Sequence, residues 1–122
     1  MSRSWSTRIN FYTTPPLSLN DRMHWRKKAK ITAEIRDWIC QWAFYNVPAC
    51  SVAEVELHYV PRDARRRDAD NIIPVLKAAC DGLVDAGVVP DDTPELMRKH
   101  MPIIDPPNRR DPHLYLVVME SS

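Results

Sequence analysis

Apolar and polar residues alternate twice along the chain and recur at helical spacing twice. Over residues 5–13, Trp5, Thr7, Ile9 and Phe11 face one way and Ser6, Arg8 and Asn10 the other, which predicts a half-buried strand ended by Pro15 and Pro16. A basic loop over about residues 17–28 follows. Residues 29–46 predict a helix, because Ile31, Ile35, Trp38, Ile39 and Trp42 recur every three or four positions and mark a core-facing stripe. The tryptophans in that stripe read as core rather than as a base-stacking platform. Residues 52–60 alternate again, with Val55, Leu57 and Tyr59 opposite Glu54, Glu56 and His58, and Pro61 bounds this strand. A second helix is expected after Asn71 as its N-cap, with Pro74 in the first turn, an apolar face of Val75, Leu76, Ala79, Leu83 and Val84, and Gly87 as its stop. Residues 96–104 and 113–119 are further strand candidates, with Pro106–Pro112 as a hairpin between them. The expected architecture is one domain over residues 1–122, an α/β or α+β fold in which two main helices cover a small mixed sheet.

Length supports that reading, since 122 residues suffice for one core and not two. A hydrophobic share of 44% with 27% charged residues fits a globular protein rather than a disordered chain. No apolar run approaches the roughly 20 residues of a membrane helix, and the N-terminus lacks the apolar stretch of a signal peptide. Eleven prolines against two glycines predict stiff loops. Cys40, Cys50 and Cys80 are scattered, odd in number and without C-x-x-C, which argues against a disulfide framework or a zinc–thiolate site and fits a reducing cytoplasm.

Charge changes the picture more. The net charge of +1 conceals blocks. Arg22, Arg26, Lys27, Lys28, Lys30 and Arg36 face one acid, Glu34, in residues 22–36, and Arg62, Arg65, Arg66 and Arg67 surround Asp63. Residues 68–95 then carry Asp68, Asp70, Asp81, Asp85, Asp91, Asp92 and Glu95 against Lys77. Basic blocks suit a polyanion, and an adjacent acidic block would repel it unless a metal ion neutralised the acids. Solvated faces are the bland alternative.

The segment Arg65 to Asn71, R-R-R-D-A-D-N, is the most informative. In extended backbone Asp68 and Asp70 would point to one side about 7 Å apart, a pair that disfavours double ionisation without a cation between them. Their hard oxygens suit Mg²⁺, which takes one or two carboxylates and keeps several waters. Alternatively the two residues cap the helix that follows. An EF-hand is excluded, since Ile73 and Ala79 occupy its glycine and closing-glutamate positions. Asp91 and Asp92 form a second pair, of which one would reach a site, or they belong to a turn. Lys77 could offset charge on a phosphate, but helix geometry favours an ion pair with Asp81. His24, His58, His100 and His113 have no ligand spacing.

The stretch R-R-R-D-A-D-N followed by K-A-A-C-D-G-L-V-D-A-G-V-V-P-D-D resembles the RusA family of Holliday junction resolvases, and P-P-L-S-L-N, Pro15 to Asn20, with the basic loop after it, resembles that family's opening. The resemblance implies a homodimeric, Mg²⁺-dependent endodeoxyribonuclease, Mn²⁺ standing in for Mg²⁺, of bacterial or phage origin and cytoplasmic. It would cut four-way DNA junctions by paired symmetric nicks in recombination and repair. Asp68, Asp70 and Asp92 would be the catalytic, metal-holding carboxylates and Lys77 a catalytic lysine. Arg65, Arg66, Arg67, Asn20, Arg22, Arg26, Lys27 and Lys28 would contact DNA, with Asn71, Asp81 and Asp91 in support. One departure is Ile72 to Pro74, which lengthens the usual connection to the lysine by three residues, close to one helical turn. A broader flap or fork nuclease, or an idle DNA-binding module, are the alternatives.

Overall fold

A computed structural model describes residues 3–10, 12–19 and 22–121. It is a single-domain α+β fold, a mixed five-stranded sheet with two helices. Strand β2, Val52–Val60, lies in the middle and matches the span its alternation predicts. Ala53, Val55, Leu57 and Tyr59 are buried on one face, while Glu54, Glu56 and His58 stand half-buried on the other. Strand β5, His113–Ser121, runs antiparallel to β2, from Val60 opposite His113 to Val52 opposite Ser121. Strand β1, Ser4–Arg8, lies antiparallel on the far edge of β5. On the other side of β2, β3 (Met97–Lys99) and β4 (Ile103–Ile104) both pair in parallel.

Several boundaries differ from expectation, each for a local reason. Strand β1 stops at Arg8: Ile9 still donates to the Leu114 carbonyl at 3.0 Å, but Asn10 takes a φ of 52°, which turns the chain out of the sheet. Phe11, expected in that strand, lies outside the described residues. Helix α1 spans Trp25–Asn46 and so begins four residues before the predicted start. Its first turn is wholly exposed and carries no apolar stripe to read. His24 caps it, Nδ1 accepting from the Arg26 N–H at 3.2 Å. Of its expected stripe Ile35 and Ile39 are buried, joined by Ala43, but Trp38 keeps 38% of its surface exposed and donates from Nε1 to the Arg8 carbonyl. Residues 96–104 divide into two short strands rather than one. The expected hairpin at Pro106–Pro112 is also corrected, because β4 and β5 flank opposite edges of β2 and the segment crosses the end of that strand, with Asn108 N–H bonded to the Pro61 carbonyl.

Helix α2 spans Ile73–Asp85, preceded by a 3₁₀ turn, Ala69–Ile72. Asn71 is inside that turn and is not the helix N-cap; Pro74 does fall in the first turn. Gly87, at φ 82°, ends the helix, its N–H bonded to the Val84 carbonyl. Val75, Leu76, Ala79 and Leu83 are buried as expected, with Ala78 and Cys80 beside them. The chain order fixes the helix directions. Strands β1, β2 and β3 run the same way, so α1 and α2 both return antiparallel to them, packed on each other over the buried sheet face. Both helix N-termini therefore sit at the C-terminal end of β2, tied by the Leu19 N–H to the Asn71 carbonyl at 3.2 Å. Both C-termini sit at its start, where Cys50 N–H meets the Val88 carbonyl. No described helix is long and apolar enough to cross a membrane.

Candidate active site

The C-terminal edge of a parallel strand set is where open α/β sheets bind ligands, and the arginine–aspartate segment leaves β2 there. Asp63 organises this loop. Its carboxylate accepts from the Arg65 N–H at 3.1 Å and from Arg67 Nη2 at 2.8 Å. The Arg67 hydrogen bond, with the Arg65 N–H behind it, holds the Asp63 carboxyl down at about 2. Arg67 also donates to the carbonyls of Asp63 and Arg65 and lies over the Tyr59 ring at 5.6 Å. Its guanidinium is thus a strut of the loop, while Arg65 (73% exposed at the side chain, despite its pairing with Asp63) and Arg66 face solvent.

Asp68 is extended (φ −94°, ψ 121°) and ends the loop; Asp70 sits in the 3₁₀ turn, its carbonyl accepting from the Ile73 N–H. The extended i, i+2 arrangement read from D-A-D is therefore broken at Ala69. Both aspartates are exposed, and neither side chain is paired among the described residues. Neither side chain caps the turn or α2, against the capping alternative. Asp68 lines a cleft of about 460 Å³ with Pro15, Ser18, Arg66 and Asn71.

A second cluster lies further along the same helix. Lys77, one turn into α2, donates from Nζ to Asp81 Oδ1 at 3.0 Å, the ion pair that helix geometry favours, and also to Asp92 Oδ2 at 3.1 Å. Lys99 on β3 donates to the same Asp92 oxygen at 3.1 Å. The hydrogen bonds and charges of Lys99 and Lys77 lower the Asp92 carboxyl, while Asp81 and then Asp92 raise the Lys77 ammonium. Asp91 Oδ1 accepts the Asp92 N–H at 2.8 Å, the turn chemistry expected of the aspartate pair. Lys99 was not anticipated. It pairs in register with Val55, a core-facing residue, so alternation from buried Met97 was the signal that an ammonium points to the helix side. Asp85, by contrast, leaves this face and pairs with Arg36 of α1 at 2.8 Å.

The donor chemistry fits a hard divalent cation at Asp68 and Asp70, two carboxylates without a protein partner among the described residues. Asp92 meets two ammonium groups instead, and joining a metal would mean exchanging them. No three His, Cys, Asp or Glu side chains are gathered at metal-binding range among the described residues. Of the expected DNA contacts, Arg22 is exposed on the approach to α1 and Arg26, Lys27 and Lys28 are exposed on its first turn; Asn20 lies outside the described residues. No protein-family model matches the chain, and no curated protein matches it as a relative.

A third cluster, missed by sequence reasoning, occupies the sheet face away from the helices. His58 is held between Asp105 at Nδ1 and Glu56 at Nε2, both at 3.0 Å, and stacks on Tyr115 at 4.5 Å, whose hydroxyl donates to Asp105 at 2.9 Å. The signal was three titratable residues, Glu54, Glu56 and His58, on one strand face.

Proposed function

We propose that this chain is a Mg²⁺-dependent, structure-selective endodeoxyribonuclease that nicks four-way DNA junctions, working as a homodimer. The observation that supports it most is that Lys77 of α2 donates to Asp92, 15 residues further along, from the helix that follows Asp68 and Asp70, two carboxylates without a partner among the described residues. The resemblance makes those four residues the working set, and helix spacing alone ties Lys77 no further than Asp81. Ile72 to Pro74, where the resemblance departs from its usual spacing, form the end of the 3₁₀ turn and the start of α2, and Lys77 meets Asp92.

Asp68 and Asp70 would hold the cation, with Asp92 as a third carboxylate once released from its lysines; a bound Mg²⁺ supplies Lewis-acid polarisation of a phosphodiester. Lys77 and Lys99 would bring two ammonium charges to offset negative charge developing on the phosphate. Arg65 and Arg66 grip the backbone beside the carboxylates, and Arg22, Arg26, Lys27 and Lys28 reach a second stretch of it. Such contacts are to phosphate and read no sequence, so selectivity rests on shape and on a two-fold dimer meeting a two-fold substrate.

The test compares wild type and Asp70→Asn on labelled four-way junction, flap, fork and linear duplex, with Mg²⁺, Mn²⁺ or EDTA. Symmetric junction nicks, lost in EDTA and in the variant while junction binding persists, are expected. Equal cutting of flaps and forks would establish the broader nuclease. Binding without cutting in either metal would refute an enzyme and leave a DNA-binding module. A monomer mass by gel filtration at micromolar concentration would refute the dimer.

A further inference from the structure

The N-terminal turn of α1 carries an aromatic group that the nuclease reading does not use. Trp25 exposes 67% of its surface, although an indole is a large apolar body that folding normally covers. Its neighbours hold it in place: the His24 ring stacks against it at 5.8 Å and 26°, and the Arg26 guanidinium lies 5.3 Å from the ring centroid. His24 is itself fixed as the cap of the helix. Around this group Arg22, Arg26, Lys27, Lys28 and Lys30 are all exposed, and none is ion-paired among the described residues. The first helical turn contains no acid.

An exposed, pre-ordered indole among unpaired cations is complementary to a ligand that joins a flat π-face to phosphates, which is what an unpaired nucleotide offers. A fully paired duplex buries its base faces in the stack and presents only phosphates to such a surface. Position points the same way. Both helices begin at the C-terminal end of β2, and the Leu19–Asn71 hydrogen bond ties the approach of α1 to the turn that carries Asp70.

The geometry points to Trp25 as a stacking platform for an unpaired DNA base at or beside the branch point, with the lysines and arginines of residues 22–30 holding the flanking phosphates. This rests on the nuclease reading for its substrate and adds to it a residue that distinguishes unpaired from paired DNA.

The experiment measures binding of full-length wild type, Trp25→Ala and Trp25→Phe, in EDTA so that nothing is cut, to three fluorescent DNAs: a four-way junction, a single-stranded oligonucleotide and a linear duplex. Stacking is worth about 1–3 kcal/mol per base, so Trp25→Ala is expected to weaken single-strand and junction binding by about 5- to 150-fold and duplex binding by less than twofold. Trp25→Phe, which keeps a π-face, should recover most of the loss. A 2-aminopurine placed beside the branch should be quenched by wild type and not by Trp25→Ala. Wild-type affinity of Trp25→Ala for all three DNAs overturns the platform and leaves the nuclease reading intact. Equal losses on all three also overturn it, making Trp25 a support of the helix end. Failure of wild type to bind any of the DNAs overturns both proposals.

Discussion

Gly82 stands where α1 and α2 touch, and a methyl group there sets two effects of known size against each other. A Cβ at this position would lie 2.5 Å from the Arg36 carbonyl oxygen, 3.0 Å from Ile39 Cβ and 3.1 Å from the Cys40 backbone nitrogen. None of these atoms is the far end of a flexible side chain, so the helices themselves must separate. Overpacking of this kind costs about 1–3 kcal/mol, and the backbone contact places Gly82→Ala toward the upper end. The opposing gain is helix propensity, about 0.8–1.0 kcal/mol for Ala over Gly. The close contact wins, for a net loss of about 1–2 kcal/mol. At this chain length a kilocalorie moves the midpoint by about 3–6 °C, so Tm should fall by about 3–12 °C. Thermal and urea unfolding by circular dichroism, with an unchanged m-value, would measure it. Ala33→Gly, at an exposed position of α1, calibrates the propensity term alone and should cost about 1 kcal/mol. A Gly82→Ala protein as stable as wild type, or more so, would refute the close approach of the two helices and the placement of α2 that depends on it.

Carboxyl-resolved NMR titration should find Asp63 ionising at about 2, and Arg67→Ala should return it toward the ordinary value of 3.8. Because the folded value is depressed, the stability Asp63 contributes is present above pH 4 and disappears as pH falls toward 2; an unshifted Asp63 would refute the strut role of Arg67. For His58, burial alone would lower the imidazole, but hydrogen bonds and charge from Glu56 and Asp105 outweigh it and raise it above 6.5. A raised folded value contributes stability that is full below pH 6.5 and is lost as pH climbs through the folded value. Denaturation midpoints of wild type should therefore fall as pH rises above 6.5, and those of His58→Gln should change less; parallel curves would count against the network.

Legibility in the sequence followed the physics of burial. Strand β2 was readable to the residue because one face is more deeply buried than the other, so alternation runs from Val52 to Tyr59 and Pro61 marks the end. The start of α1 was not, because its exposed first turn has no stripe and its cap is a histidine, outside the usual capping residues. Strand β1 was overextended because alternation continues past Asn10 while the backbone does not. The Lys77–Asp81 pair was visible in helix spacing, whereas Lys99 on Asp92 and Asp105 on His58 depend on strand order, and Arg36 on Asp85 on how α1 packs against α2, neither of which a local pattern encodes. The proposed hairpin failed for the same reason: adjacency in sequence is not adjacency in the sheet.

The place of β5 has a consequence for how the protein is made. This strand follows every other described element in sequence, yet it lies between β1 and β2 and supplies β1 with its partner, joining Ser4 to Met119. A nascent chain therefore carries β1 and β2 without the strand that joins them until the nine residues from His113 emerge. Pairings so distant in sequence fold slowly, and an unpaired, half-apolar β2 is an aggregation hazard in the meantime. Ribosome stalling or premature termination before residue 113 would release a chain with an exposed central strand, an early substrate for chaperones and proteases.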